Sequence, residues 1–179
     1  MKFGYKFHGR WTVDFCIEIN SQRLSSNVTY VTDSLRDLLT ALLRINPNCV
    51  PTEEVLSSDG CQWCTEPFMI TWSITKRSNG MVHVVVKYED LDDEDFIDTE
   101  CPYDSLLEAI IMEVDTLIKE NGIVGYKENW DYEFPLTTFL KLKNYLLNKN
   151  TYPLKEDEYS GIKVSDLNME MELLSKYSK

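Results

Sequence analysis

Hydrophobic periodicity changes along this chain, and the change decides what it can fold into. Trp11, Val13, Phe15, Ile17 and Ile19 alternate with Thr12, Asp14, Cys16, Glu18 and Asn20. A two-residue period places all five apolar side chains on one face of a strand and leaves the other face wet. Phe68, Ile70, Trp72 and Ile74 repeat the pattern, Asn79-Gly80 supplies a hairpin turn, and Met81–Tyr88 returns as a valine-rich strand. Between the two alternating stretches the period shifts. Leu35, Leu38, Leu39, Leu42 and Leu43 make a helical stripe, with Asp33 or Ser34 placed to cap it and Pro47 to stop it.

A second stripe, Leu106, Leu107, Ile110, Ile111, Val114, Leu117 and Ile118, predicts a longer helix with Pro102 near its first turn and Asn121-Gly122 as a left-handed end. Phe134-Pro135-Leu136 opens a third helix, carrying Phe139, Leu140, Tyr145, Leu146 and Leu147. A weaker one follows around Leu167, Met171 and Leu174. Residues 21–27 read as a turn, 28–31 as a short strand, and 46–66 as a long irregular loop punctuated by proline, serine and glycine. The expectation is an α+β fold, an antiparallel sheet with three to four helices packed on it. Residues 1–150 form one domain, and 151–179 a polar connection and C-terminal helix docked on it.

Charge is segregated. Thirty acidic side chains against 18 basic ones leave −12 in 179 residues. Residues 1–80 balance 8 acids with 8 bases, whereas 88–133 hold 16 acids and only Lys119 and Lys127. Such a surface disfavours direct nucleic-acid binding, which needs a basic footprint. The densest part is 89–100, eight carboxylates in twelve residues, with Phe96 and Ile97 among them. A solvating loop accounts for the carboxylates alone. Apolar anchors ringed by carboxylates suit a docking surface for a basic protein. The candidate partner-binding residues are therefore Asp90, Asp92, Asp93, Glu94, Asp95, Phe96, Asp98 and Glu100.

No stretch approaches the roughly 20 apolar residues needed to span a bilayer, and MKFGYKFHGRW does not read as a signal peptide. The expected compartment is the cytoplasm, where an odd count of five cysteines fits reduced thiols. Cys61 and Cys64 form a CxxC pair, open to three readings: incidental thiols, half of a metal site, or a redox pair. No phosphate loop, dinucleotide fingerprint, nucleophile elbow or HExxH motif occurs. The carboxylates from Asp90 onward fail the EF-hand register, since position 6 is Asp95 and position 12 is Cys101. Glu108/Asp115 and Glu113/Glu120 could pair for acid–base work, although the solvated back of an amphipathic helix explains them as well. No catalytic residue and no cofactor is expected.

Three segments carry a resemblance: 29–43 (TYVTDSLRDLLTALL), Glu66-Pro67 with 68–74 (FMITWSI), and 120–142 with Gly122, Tyr126, Trp130 and Phe134-Pro135-Leu136. In that order they resemble small, mostly bacterial proteins without assigned activity, similar in character to immunity proteins of bacterial toxin systems. The resemblance implies a non-enzymatic protector that binds and blocks a cognate toxin domain, often a basic nuclease. A metal or thiol-redox protein using Cys61 and Cys64, or a module of a larger assembly, are the alternatives.

Overall fold

The computed structural model describes residues 1–89 and 96–176. Among them, strands β1 (Lys2–Phe7), β2 (Thr12–Ile19) and β3 (Gln22–Thr29) form one antiparallel meander. Helix α1 (Ser34–Arg44) follows, then a second meander of β4 (Ser58–Cys64), β5 (Met69–Lys76), β6 (Met81–Tyr88) and β7 (Ile97–Pro102). Helices α2 (Tyr103–Trp130) and α3 (Leu136–Asn148), a two-stranded ribbon of β8 (Lys155–Glu156) and β9 (Lys163–Val164), and α4 (Leu167–Ser175) complete the chain. The class is α+β, as the order of periodicities predicts. The sheet is divided into a three-stranded and a four-stranded piece.

The alternating residues do what their spacing requires. Val13, Phe15, Ile17 and Ile19 of β2 and Ile70, Trp72 and Ile74 of β5 are buried. The two pieces meet through these rings: Phe15 lies 4.8 Å from Trp63 and 5.7 Å from Trp72, edge-on and tilted. β3 and the residues that flank it tie the pieces at both edges. Asp98 N–H donates to Gln22 Oε1, and Asn20 Nδ2 donates to the Glu100 carbonyl at the β7 edge. Thr29 Oγ1 donates to the Cys64 carbonyl, and Cys64 N–H to Thr32 Oγ1, at the β4 edge. These side chains satisfy edge groups that would otherwise invite another strand.

Several sequence expectations are overturned. Of residues 21–27 only Ser21 lies in a turn: β3 covers the rest, paired with β2 from Thr12↔Thr29 to Ile19↔Gln22. The 46–66 stretch is not one loop, because β4 occupies its second half and buries Trp63. Residues 97–102 of the acidic stretch form β7, with Ile97 and Cys101 in the core. Gly122 does take a positive φ (72°), which glycine adopts without a Cβ penalty. The helix nevertheless resumes to Trp130, because Tyr126 and Trp130, one turn apart, pack against Phe7 at 5.7 and 6.2 Å.

Asp115 is no solvated helix-back residue either. Its side chain is 1% exposed, and it accepts from Lys143 Nζ at 2.5 Å and Lys119 Nζ at 2.6 Å. Lys143 is fully buried, and burial lowers its pKa against the pull of Asp115. Its ammonium also donates to the Lys176 carbonyl, which pins the end of α4 to α2 and α3. Glu113, also assigned to the wet face, accepts from the Tyr5 N–H and covers the β1 edge.

Asp33 takes the N-cap position of α1, yet its carboxylate meets Arg36 Nε at 2.6 Å instead of the helix N–H groups. Burial pushes its carboxyl up to about 6, opposed by Arg36 and reinforced by Asp37.

Two stability outcomes follow. Removing one partner from a buried ion pair strands the other, so Asp115→Ala should cost about 3–5 kcal/mol in urea unfolding. The double variant Asp115→Leu/Lys143→Met should cost less than that single change; equal or greater loss would show that packing, not charge, dominates. For Asp33, a folded pKa above the unfolded value near 3.9 means the folded state holds the proton more tightly. Its contribution is complete below pH about 4 and is lost as pH rises through about 6. Asp33→Asn should therefore match wild type near pH 4 and exceed it by about 2 kcal/mol at pH 7. A pH-independent difference between the two would refute this.

Candidate functional site

The acidic stretch joins β6 to β7. Asp90, Asp92, Asp93, Glu94 and Asp95 lie outside the described residues. Phe96, Asp98 and Glu100 are described, together with Glu89 at the other end. Alternation along β7 sorts them: Ile97 and Cys101 face the core, while Asp98 and Glu100 face solvent. Phe96 stands exposed, and Ile97, fully buried, is a core residue and no anchor.

The two solvent-facing carboxylates are engaged with their own sheet. Asp98 Oδ1 lies 2.6 Å from His83 Nε2 on β6, one diagonal step across the ladder. Glu100 Oε1 accepts from Arg77 Nε at 3.1 Å. Glu89 Oε1 accepts from Thr71 Oγ1 at 2.6 Å and Gln62 Nε2 at 2.5 Å, while its N–H donates to the Met69 carbonyl. Exposed ion pairs of this kind contribute about 0–1 kcal/mol each, so they orient these carboxylates more than they stabilise the fold. Sequence reasoning missed these partners because His83, Arg77 and Gln62 lie 15 to 27 residues from them and meet them only through strand register.

The Cys61-Gln-Trp-Cys64 pair is resolved by strand geometry. Residues three apart in a strand point to opposite faces. Cys61 shares the inner face with Trp63 and packs against the core, whereas Cys64 lies opposite Met69 on the outer face. The two thiols cannot close on one ion or on each other without breaking β4. Among the described residues, no group of three or more His, Cys, Asp and Glu side chains could hold a metal ion. Burial, the largest influence, pushes the Cys61 thiol well above its ordinary value, with Asp37 adding to the rise. It likewise pushes Cys49 up to about 12 and Cys101 up to about 11.

A separate cleft of about 550 Å³ opens between the segment after α1 and the β8–β9 region, with Cys49, Lys141, Tyr152 and Lys163 in its walls. Lys141 and the ion pair of Lys163 with Glu156 sit in its lining, and no sequence motif marks it.

Sequence reasoning also missed an aromatic group at the end of the first meander. Trp11 is 45% exposed and Tyr30 42%, with their rings 5.7 Å apart and the Arg10 guanidinium 5.0 Å above the indole. The only sequence signal was Trp11 itself, which the alternation assigns to the core. It lies one residue before β2 and turns outward. No helix among the described residues is long and apolar enough to cross a membrane. Comparison with protein-family models, with curated proteins and with solved structures returns no match.

Thiol chemistry tests the reading of the CxxC pair. In native protein at pH 8, Cys49, Cys61 and Cys101 should resist a thiol-specific reagent, and mild oxidation should yield no Cys61–Cys64 disulfide by mass spectrometry. Formation of that disulfide in folded protein would restore the redox alternative.

Proposed function

We propose that this chain is a non-enzymatic binding protein of the immunity type, which occupies the working surface of a basic toxin domain. The observation that carries the reading is the acidic stretch 89–100. It holds an exposed Phe96, and Asp98 and Glu100 are aligned on the wet face of β7. Clustered like charge costs stability through self-repulsion, and a purely structural hairpin gains nothing from it. An apolar anchor inside a carboxylate field serves association: charge accelerates encounter and the anchor desolvates on contact. The resemblance of residues 29–43, 66–74 and 120–142 to immunity-type proteins points the same way. The proposed compartment is the cytoplasm, where such a protector meets its toxin.

The test is kinetic. Association with the catalytically inactivated toxin domain encoded beside this gene is followed by stopped flow as ionic strength rises from about 0.02 to 0.3 M. The on-rate should fall at least about tenfold across that range. Replacing Asp90, Asp92, Asp93, Glu94, Asp95 and Asp98 by their amides should bring the low-salt rate close to the high-salt one. An unchanged on-rate in the amide variant removes the acidic surface from the interface, and a genome with no toxin gene beside this one removes the toxin.

A further inference from the structure

The exposed pair Trp11 and Tyr30 is held in a way that ordinary surface aromatics are not. Trp11 has a φ of 70°, a left-handed conformation that side-chain-bearing residues rarely adopt. Two backbone hydrogen bonds hold it in place. Its N–H donates to the Asn129 carbonyl of α2 at 2.8 Å, and its carbonyl accepts from the Tyr30 N–H after β3 at 3.0 Å. Next to it, Tyr132 Oη donates to the Val31 carbonyl, and Val31 is 53% exposed. The left-handed φ belongs to the β1–β2 hairpin loop, which the His8 N–H to Thr12 carbonyl bond closes at 3.0 Å, so the loop fixes the outward tryptophan before any partner arrives. Trp, Tyr and Arg, preset in rigid positions, are the residue types that dominate binding energy at protein interfaces.

The location says what covers this platform. Thr29 and Thr32, on either side of Tyr30 and Val31, are both bonded to Cys64 at the end of β4. From there the hairpin turn leads through Phe68, whose ring meets Tyr88 at 6.4 Å, to Glu89, where the acidic stretch begins. β4 and β6 are two strand spacings apart, about 10 Å. A standard interface covers about 800 Å² per partner, a patch roughly 30 Å across. The platform and the start of the acidic stretch therefore fit under one partner.

Exposed carboxylates also border the platform itself: Glu66, two residues beyond Cys64, and Asp131 and Glu133, on either side of Tyr132. Arg10 and Lys127 offset part of this charge, Lys127 through its contacts with Asp131 and Glu133.

Resting on the immunity-type reading, we infer that Trp11, Tyr30 and Val31 form the apolar centre of the interface, and that its occupant is the same basic protein drawn in by the acidic stretch.

A photo-crosslinking residue placed at position 30, and separately at position 96, of the full chain in its source cells tests this, with the captured protein identified by mass spectrometry. Both positions should yield one basic protein. Trp11→Asn retains a residue tolerant of the left-handed backbone, and Val31→Asp leaves that backbone untouched. With the identified protein purified, each should speed dissociation about tenfold while changing the on-rate little. Capture at 96 but not at 30, or unchanged dissociation in both variants, overturns this inference and leaves the acidic reading standing. Capture at 30 of a neutral or acidic protein overturns the inference as well. Capture of a basic protein at 30 alone keeps the platform and removes the acidic stretch, and capture at neither removes both.

Discussion

The packing of Trp63 between the two meanders is the contact on which the rest of the molecule depends. The indole has no exposed surface, and the rings of Phe15, Trp72 and Tyr5 lie 4.8, 5.1 and 6.0 Å from it. Tyr5 in turn meets Trp130 at 6.1 Å, which carries the contact to the end of α2. Five elements, from both meanders and α2, thus converge on one aromatic cluster. Buried aromatic pairs add about 0.5–1.5 kcal/mol each beyond the area they remove from water. A segment able to deliver Trp63 into this cluster gains enough to become a strand even where local propensity argues otherwise. That is why Ser58-Asp59-Gly60, a turn-like sequence, lies within β4. The same constraint separates the two thiols: once Trp63 points inward, Cys61 must follow it and Cys64 must face away.

What could be read from the sequence is the set of elements whose burial repeats at the period of their own backbone. β2, β5 and β6 alternate, and α1 and the first part of α2 carry unbroken stripes. Only the end of β3 was legible, within the strand read at 28–31, because Leu24 and Val28 alone in it are buried, four residues apart, among Ser and Asn that keep one edge wet. β4 contributes a single buried residue, Trp63, and no pattern can be seen in one point. The second part of α2 follows a glycine that does leave the helix, and contacts with Phe134, just past its end, and with Phe7, remote in sequence, draw it back. Of the candidate interface, Phe96, Asp98 and Glu100 sit on the surface where the charge pattern placed them. The His83 and Arg77 partners, and the outward turn of Trp11, depend on register and cross-chain hydrogen bonds that no local window contains.

The acidic excess also divides once the fold is known. Asp115 neutralises a buried lysine, Glu113 closes a sheet edge, and Asp104 accepts from Lys149 and Tyr145. Asp115 is buried and Glu113 half-buried, so these two offer little to a partner, whereas Asp104 stays half exposed beside Lys149. The bulk charge of −12 therefore overstates the field available for docking. What remains concentrated is the β6–β7 connection, flanked by carboxylates already oriented by His83, Arg77 and Thr71.

Charge and apolar contact act on different parts of a binding reaction, which bears on why both would lie at one end of the molecule. A screened electrostatic field raises the rate of encounter but holds a complex weakly, because exposed pairs keep much of their solvation. Lifetime comes from desolvated, preorganised side chains at the centre of the contact. A protector that must reach its target quickly and then stay bound needs the two together, the first as a rim and the second as a core. Under the proposed reading the acidic stretch would supply the rim, and Trp11, Tyr30 and Val31 the core, with β4 beside the platform and β6 at the start of the stretch about 10 Å apart. In that arrangement the fixed hairpin loop around Trp11 would be useful. It is fixed before the partner arrives, so the ordering cost falls on folding and not on binding.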